Sequence, residues 1–155
     1  MCDSVSRRGF IRFATAGTAV SLSTGAASAG RKETAAIVQP ASPTTSAFIE
    51  RAFDMRRLAV EKGDQPYGAV IARDGVIIGQ SWSRVVLDQD PTGHAEIAAI
   101  RDAAHRLGDR NLSGTVMYSS SRPCPMCEAA AYWADISGMI YGQGGHDAGA
   151  PGLCG

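Results

Sequence analysis

The folded part of the chain is predicted to start near Ser46 with an amphipathic helix. Apolar residues recur three or four positions apart from Phe48 to Val60, the spacing at which they share one face of a helix. Hydroxyl side chains at 44–46 can cap the start of this helix, and Gly63 can end it.

A hairpin and a second helix are predicted next. Two short apolar runs, 68–72 and 76–79, are separated by Arg73-Asp74-Gly75, which is typical of a β-hairpin. After a polar loop, Pro91 is predicted to open a helix that ends at Gly108, because proline is favoured at the first helical position and glycine just past the last one.

Three more elements complete the pattern. Residues 115–119 predict a third strand, 125–134 a third helix and 138–141 a fourth strand. The resulting order, α-β-β-α-β-α-β, favours an α/β fold in which helices cover both faces of one sheet.

The first 29 residues carry the pattern of an export signal. Residues 6–12, Ser-Arg-Arg-Gly-Phe-Ile-Arg, resemble the twin-arginine motif, and 13–29 carry no charge. Ala27-Ser28-Ala29 fits a cleavage site ahead of Gly30. The uncharged run is too polar for a good membrane span, so we expect a periplasmic or secreted protein with no membrane attachment after cleavage.

Composition and charge narrow the function further. The chain has 155 residues, of which 45% are apolar and 19% charged, so it is long enough for one folded domain and is not a disordered class. We divide it into a signal peptide (1–29), a flexible linker rich in Pro, Ser and Thr (30–45) and one domain (46–155). The signal holds three arginines and one aspartate, so the remainder has 12 basic and 14 acidic residues, which argues against nucleic acid as a partner.

Candidate chemistry lies at the starts of two predicted helices. His94 and Glu96 fall in the first turn of the second helix, and Cys124 and Cys127 open the third. Two cysteines three positions apart at a helix start can aim both sulfurs at one point, where the helix dipole favours thiolates. One imidazole and two thiolates suit Zn²⁺ and leave a fourth position for water, whose pKa zinc lowers to roughly 7. Glu96 can then act as the acid-base group.

Each part of this pattern has a simpler interpretation on its own. A lone CxxC in an exported protein is often a disulfide or redox pair. A structural zinc site needs a fourth ligand, for which His105, His146 and Cys154 are the spare candidates. The combination of H-x-E with P-C-x-x-C, however, is the signature of zinc deaminases.

Residues 46–142 resemble the cytidine deaminase-like superfamily, in the branch of guanine deaminases and tRNA adenosine deaminases. The matching stretches are 66–70 (Pro-Tyr-Gly-Ala-Val), 90–97 (Asp-Pro-Thr-Gly-His-Ala-Glu-Ile), 123–127 (Pro-Cys-Pro-Met-Cys) and 131–134 (Ala-Tyr-Trp-Ala). The resemblance implies a three-layer α/β/α sandwich, hydrolytic removal of an exocyclic amine from a base, and a homodimer. It also implies one zinc per chain held by His94, Cys124 and Cys127, with Glu96 as proton shuttle.

Two departures from the relatives affect substrate binding. Relatives commonly place an asparagine, whose amide contacts the base, at the position of Ser83, and a serine hydroxyl forms fewer hydrogen bonds. We predict substrate contacts from Ser83, Ala95 and Pro123. Guanine deaminases also continue beyond the position of Gly155, so we expect a C-terminally shortened sandwich with a four-stranded sheet and an unprotected edge.

The leading hypothesis is an exported zinc aminohydrolase acting on a small-molecule nucleobase, guanine first. A deaminase of cytosine or another small aminopyrimidine is the alternative within enzymes, and a tRNA adenosine deaminase is disfavoured by charge and export. Outside this activity, the chain could be a zinc-binding remnant without turnover or a CxxC redox protein. Zinc stoichiometry separates the redox protein from the rest, and turnover separates an enzyme from a remnant.

Overall fold

The computed structural model of the chain describes residues 36–153 and shows one mixed sheet with three helices. The elements are α1 (Thr45–Glu61), β1 (Gly68–Arg73), β2 (Val76–Trp82), α2 (Ala95–Leu107), β3 (Val116–Ser119), α3 (Pro125–Trp133), β4 (Gly138–Tyr141) and β5 (His146–Gly149). The strand order is β2-β1-β3-β4-β5; β3 and β4 are parallel and the other neighbours antiparallel. The predicted signal peptide lies outside the described residues, as does Cys154. Within those residues, no helix is both long and apolar enough to cross a bilayer.

Helices cover both faces of the sheet, which confirms the predicted α/β/α layering. The α1-side cluster consists of Phe48, Ile49, Met55, Val70, Ala72, Ile77 and Tyr118. The α2–α3-side cluster consists of Ala69, Ile71, Ala95, Ala99, Ala103, Leu112, Met117, Ala131, Ala134, Ile136 and Met139. Strand β1 contributes alternate residues to the two clusters, because successive side chains of a strand point to opposite faces. This central strand is therefore buried on both sides and reads as a continuous apolar run in the sequence.

Two glycines let helices lie directly on the hairpin strands. A Cβ atom on Gly68 would lie 2.2 Å from the carbonyl oxygen of Ala52 in α1, and one on Gly79 would lie 2.6 Å from Cβ of Ala103 in α2. Both distances are shorter than any real contact, so only glycine fits at these positions. The β1–β2 hairpin is thus held closely between α1 on one face and α2 on the other.

Helix α2 begins later than the sequence predicts. Pro91 does not open the helix, which starts at Ala95 with His94 as its N-cap residue. The side chain of Asp90 instead accepts hydrogen bonds from the backbone N–H and the hydroxyl of Thr92, at 2.8 and 2.7 Å. Aspartate side chains that bond to the backbone two residues on stabilise turns in competition with helix, so Pro91 lies in a turn.

The four-stranded sheet expected from the sequence is wrong, because β5 pairs with β4 as an antiparallel hairpin. The chain reverses between Gly142 and Gly145, whose φ angles of 70° and 63° lie in the left-handed region that glycine adopts most readily. All four residues of β5 are exposed, so the strand has no apolar alternation by which a sequence pattern would reveal it.

Part of the predicted flexible linker is attached to the sheet. The side-chain amide of Gln39 donates to the carbonyl of Ile77 and accepts from its N–H, both at 2.8 Å. Ile37 packs against the α1-side cluster. The described residues ahead of α1 therefore belong to the folded unit.

Candidate active site

The predicted metal ligands lie at the starts of two helices, α2 and α3, each of which comes after a strand of the sheet in the chain. His94 is the N-cap residue of α2, Cys124 is the N-cap residue of α3, and Cys127 lies in the first turn of α3. The backbone at both caps is extended, and Pro125 occupies the start of α3, where its missing N–H is not needed. Helix α2 follows β2 and helix α3 follows β3. The strand register places the C-terminal ends of β2 and β3 at the same end of the sheet, beside the start of β1. This brings the two helix starts together.

The three ligand atoms form a nearly equilateral triangle. Cys124 Sγ, Cys127 Sγ and His94 Nδ1 are each 3.6 Å from the other two. Tetrahedral zinc, with Zn–S near 2.3 Å and Zn–N near 2.0 Å, would set its ligands about 3.6–3.8 Å apart. The sulfurs are much too far apart for a disulfide, whose S–S distance is about 2.0 Å. The donor set and its spacing therefore fit zinc, as the sequence predicted.

The thiol of Cys127 is fully buried, and its surroundings disfavour the negative charge that a metal ligand carries. Burial raises the pKa of this thiol, and the neighbouring Glu96 carboxylate raises it further. A thiolate at this position needs a cation beside it, since metal binding is what drives a buried thiol to release its proton. The site is therefore built for a metal ion rather than for a free thiolate.

Glu96 lies beside the ligand triangle without belonging to it. The side chain is in the first turn of α2, only 5% exposed, and its Oε2 lies 3.6 Å from Cys127 Sγ. Burial raises the pKa of this carboxyl group. A carboxyl group whose pKa is raised holds a proton more strongly than an exposed one, which favours the acceptance and return of a proton that general acid-base catalysis needs.

Among residues 36–153, no fourth side chain joins the three atoms of the triangle as a potential ligand. In this part of the chain, His94, Cys124 and Cys127 form the only group of at least three potential ligands that lie close enough together to share a metal ion. His105 lies in the last turn of α2, and His146 lies against the Tyr141 ring in the β4–β5 hairpin. A three-ligand site keeps a coordination position open, which is typical of catalytic rather than structural zinc.

Comparison with known proteins agrees with this geometry. Residues 42–143 match the family model described as the cytidine and deoxycytidylate deaminase zinc-binding region. The chain belongs to this family. Its members are zinc-dependent hydrolytic deaminases that act on C–N bonds.

Two kinds of deaminase are similar to the chain at nearly the same identity. The guanine deaminase of Bacillus subtilis is 41% identical over 107 residues, which cover 68% of this chain and 69% of that protein. A tRNA-specific adenosine deaminase of Agrobacterium fabrum is 42% identical over 95 residues, which cover 61% and 62%. The chain thus spans about two thirds of the length of these relatives.

Solved structures of both kinds share the fold. The crystal structure of the Bacillus subtilis guanine deaminase superposes with a TM-score of 0.61 at 40% identity, over 63% of each chain. A structure from a study of A-to-I editing by tRNA:A34 deaminases superposes with a TM-score of 0.59 at 41% identity, over 61% of this chain and 72% of that one. These superpositions confirm the cytidine deaminase-like fold.

The three residues predicted to contact the substrate are all buried in this deaminase domain. Ala95 and Ser83 are 0% exposed, and Pro123 is also buried. The hydroxyl of Ser83 donates a hydrogen bond to Asp64 Oδ1 at 2.7 Å. Contacts from these residues to a substrate stay predictions, and the structure shows a different partner for the Ser83 hydroxyl.

Asp64 is the residue of this region that the sequence analysis missed. Burial alone would raise the pKa of its carboxyl group, but hydrogen bonds from Leu87, Ser83, Gln65 and Val86 outweigh this effect and lower the pKa. Its position between a helix-ending glycine and a strand indicates a turn residue, and three of these four partners lie 19 to 23 positions away. A local sequence pattern carries no signal for such a contact.

Proposed function

We propose that this deaminase removes the exocyclic amine of a free nucleobase by hydrolysis, with guanine as the leading substrate. The observation that carries the proposal is the buried Glu96 carboxyl group beside the triangle of His94, Cys124 and Cys127, 3.6 Å from one of its sulfurs. This arrangement offers an acid-base group next to an open metal position, which is what hydrolysis of a C–N bond requires.

The residues of the site divide the work of the reaction. His94, Cys124 and Cys127 would hold zinc, which when bound acidifies water so that hydroxide is available near neutral pH. Glu96 accepts one proton of the attacking water at its carboxylate, and the water oxygen bonds to the ring carbon that carries the amine. Glu96 then returns the proton to the amine nitrogen. The C–N bond breaks, ammonia leaves and the carboxylate is restored.

Guanine is favoured over a base within RNA for two reasons. The guanine deaminase of Bacillus subtilis is similar over 107 residues at 41% identity, against 95 residues at 42% for the Agrobacterium fabrum tRNA-specific adenosine deaminase. After removal of the predicted signal, the chain also has more acidic than basic residues, whereas RNA binding relies on cationic side chains that neutralise phosphates. Deamination of cytosine or another aminopyrimidine is the alternative for a small substrate.

We also propose that the domain acts as a homodimer after export by the twin-arginine route, in the periplasm or outside the cell. The paired arginines Arg7 and Arg8 and the uncharged run after them support export. Trp133, at the end of α3, is 68% exposed, and large aromatic side chains are enriched at protein interfaces. Size determination in solution and N-terminal sequencing of secreted protein test these two points.

The decisive experiment measures ammonia release by the zinc-loaded full chain from guanine, adenine, cytosine, their nucleosides and a tRNA anticodon stem-loop. Glu96→Gln is the matched control, because it keeps the shape of the side chain and removes its acid-base function. We expect the wild-type protein to release ammonia from guanine and the Glu96→Gln variant to release none. If ammonia were released only from cytosine or only from the RNA, and release depended on Glu96, that molecule and not guanine would be the substrate. No release from protein with one zinc per chain would indicate the inactive remnant.

A further inference from the structure

The loop that leads into the zinc ligand His94 is closed on itself. Its first and last residues are joined, because the N–H of Arg84 donates to the carbonyl of Gly93 at 2.7 Å. Inside the loop, the N–H of Asp90 donates to the carbonyl of Val85 at 3.2 Å. We call residues 84–93 the ligand loop, since His94 follows it directly.

Asp64, three residues after the end of α1, holds the ligand loop through its carboxylate. Its Oδ2 accepts the backbone N–H groups of Val86 and Leu87, at 3.1 and 2.9 Å. Its Oδ1 accepts the Ser83 hydroxyl at 2.7 Å and the N–H of Gln65 at 2.8 Å. An ionised carboxylate has about four acceptor positions, so this buried group is fully used. Three of its four bonds go to the ligand loop or to the residue before it.

The start and the end of the ligand loop are in close contact. A Cβ atom on Gly93 would lie 3.0 Å from the carbonyl oxygen of Asp90 and 3.1 Å from the carbonyl carbon of Arg84. The backbone segments around Arg84, Asp90 and Gly93 therefore pack closely against one another, next to His94. A contact that fixes the start of the loop is therefore also linked to the residue that precedes His94.

Ser83 belongs to the same anchor. It is 0% exposed, and the proton of its hydroxyl is donated to Asp64. The hydroxyl therefore has neither accessible surface nor a free donor for a ring nitrogen or oxygen.

We propose that Asp64 is a positioning residue of the deaminase site. It holds the ligand loop, directly through Val86 and Leu87 and indirectly through Ser83, and so sets the place of His94. Ser83 acts as part of this anchor rather than as a substrate contact. The inference deepens the proposed function and rests on it only for the kinetic measurements, because metal affinity is measured without a substrate.

The test compares zinc affinity of the full-length Asp64→Asn and Ser83→Ala variants by competition with a chromophoric chelator. An asparagine has one oxygen and turns its NH₂ group toward backbone N–H groups, so it cannot keep all four bonds. We expect Asp64→Asn to weaken zinc binding about tenfold, the lower end of what outer partners of metal ligands contribute. We expect a smaller loss from Ser83→Ala and, in the double variant, no loss beyond that of Asp64→Asn.

Thr115→Ala is the matched control. Thr115 is also 0% exposed, and its hydroxyl donates to the carbonyl of Leu112 at 2.7 Å. It precedes β3, at the end of that strand opposite to the one that leads to Cys124. The control thus removes one buried hydroxyl hydrogen bond of equal length and should lower the melting temperature while leaving zinc affinity unchanged.

Three results would overturn the inference. The first is zinc affinity in Asp64→Asn equal to that of the wild type. The second is an equal loss of affinity in Thr115→Ala, which would make the effect one of general stability. The third is a raised KM in Ser83→Ala at unchanged zinc affinity, which would make Ser83 a substrate contact. Wild-type protein that binds zinc but releases no ammonia would defeat the proposed function alone and leave the anchor standing.

Discussion

The two faces of the sheet are packed with different kinds of side chain. The α1-side cluster is built mainly from large residues, including the Phe48 and Tyr118 rings, whose centroids are 5.0 Å apart. In the α2–α3-side cluster, six of the eleven buried residues are alanines. Large side chains bury more apolar area, whereas small ones let helices approach a sheet closely. The first face therefore buries more apolar area per residue, and the second holds the helix starts that carry the chemistry.

This division explains where the site lies. Helices α2 and α3 both belong to the alanine-rich face, and their N-cap residues and first turns supply all three metal ligands and Glu96. A ligand triangle with 3.6 Å sides tolerates little displacement of either helix. Close packing through alanines leaves the helices few alternative positions.

The largest expected effect comes from removing a ligand. His94→Ala should abolish stoichiometric zinc binding and all activity, because two thiolates alone leave the triangle incomplete. It should also lower the melting temperature, since a metal that binds only the folded state stabilises that state. Metal analysis and thermal unfolding measure both effects. His105→Ala, in the last turn of the same helix, is the control, and equal zinc loss there would contradict the assignment.

The next effects contrast the two faces directly. Phe48→Ala should lower the free energy of unfolding by about 3–5 kcal/mol, as truncation of a buried phenylalanine does, without weakening zinc binding to the folded protein. Ala103→Val should destabilise less, by about 1–3 kcal/mol, because it overfills a packed position. It should nevertheless weaken zinc binding, since Ala103 lies against Gly79 and an enlarged side chain displaces α2. Denaturant unfolding measures the free energy of unfolding, and chelator competition measures zinc affinity. Together they show whether substitutions on the two faces affect different properties.

The effect of substituting Asp64 depends on pH and becomes the smallest of these in acid. Its folded-state pKa is lowered, so its contribution to stability is fully present above the unfolded pKa of about 3.9 and is lost as pH falls through the folded value. Asp64→Asn should therefore destabilise by about 2 kcal/mol at neutral pH and by progressively less in acid. Unfolding free energies of both proteins across this range test the sign. A difference that grew on acidification would be inconsistent with an ionised, hydrogen-bonded carboxylate.

Periodicity and turn residues were enough to predict most elements. The bounds 138–141 of β4 are those of the structure, and α1, β1, β2, β3 and α3 differ from their predicted ranges by at most a few residues. The metal triangle was also predictable, because each ligand lies at a helix start and the H-x-E and CxxC spacings are local.

The remaining features depend on contacts that a local pattern does not contain. Pro91 has the residue type of a helix start, but the side chain of Asp90 bonds to Thr92 and keeps that segment in a turn. Strand β5 has no apolar face to reveal it. Asp64 acts across 19 to 23 positions of sequence, so only the folded chain shows its role.

The pairing of Gln39 with Ile77 has a consequence for the behaviour of the protein at high concentration. Strand β2 is the outermost strand on its side of the sheet, and a free backbone there is a template to which a strand of another molecule can add. The Gln39 amide offers one donor and one acceptor, as a neighbouring strand's backbone would, and occupies both groups of Ile77. A strand of another molecule must first displace this side chain before it can pair with β2. The segment before α1 therefore disfavours edge-to-edge association of the domain.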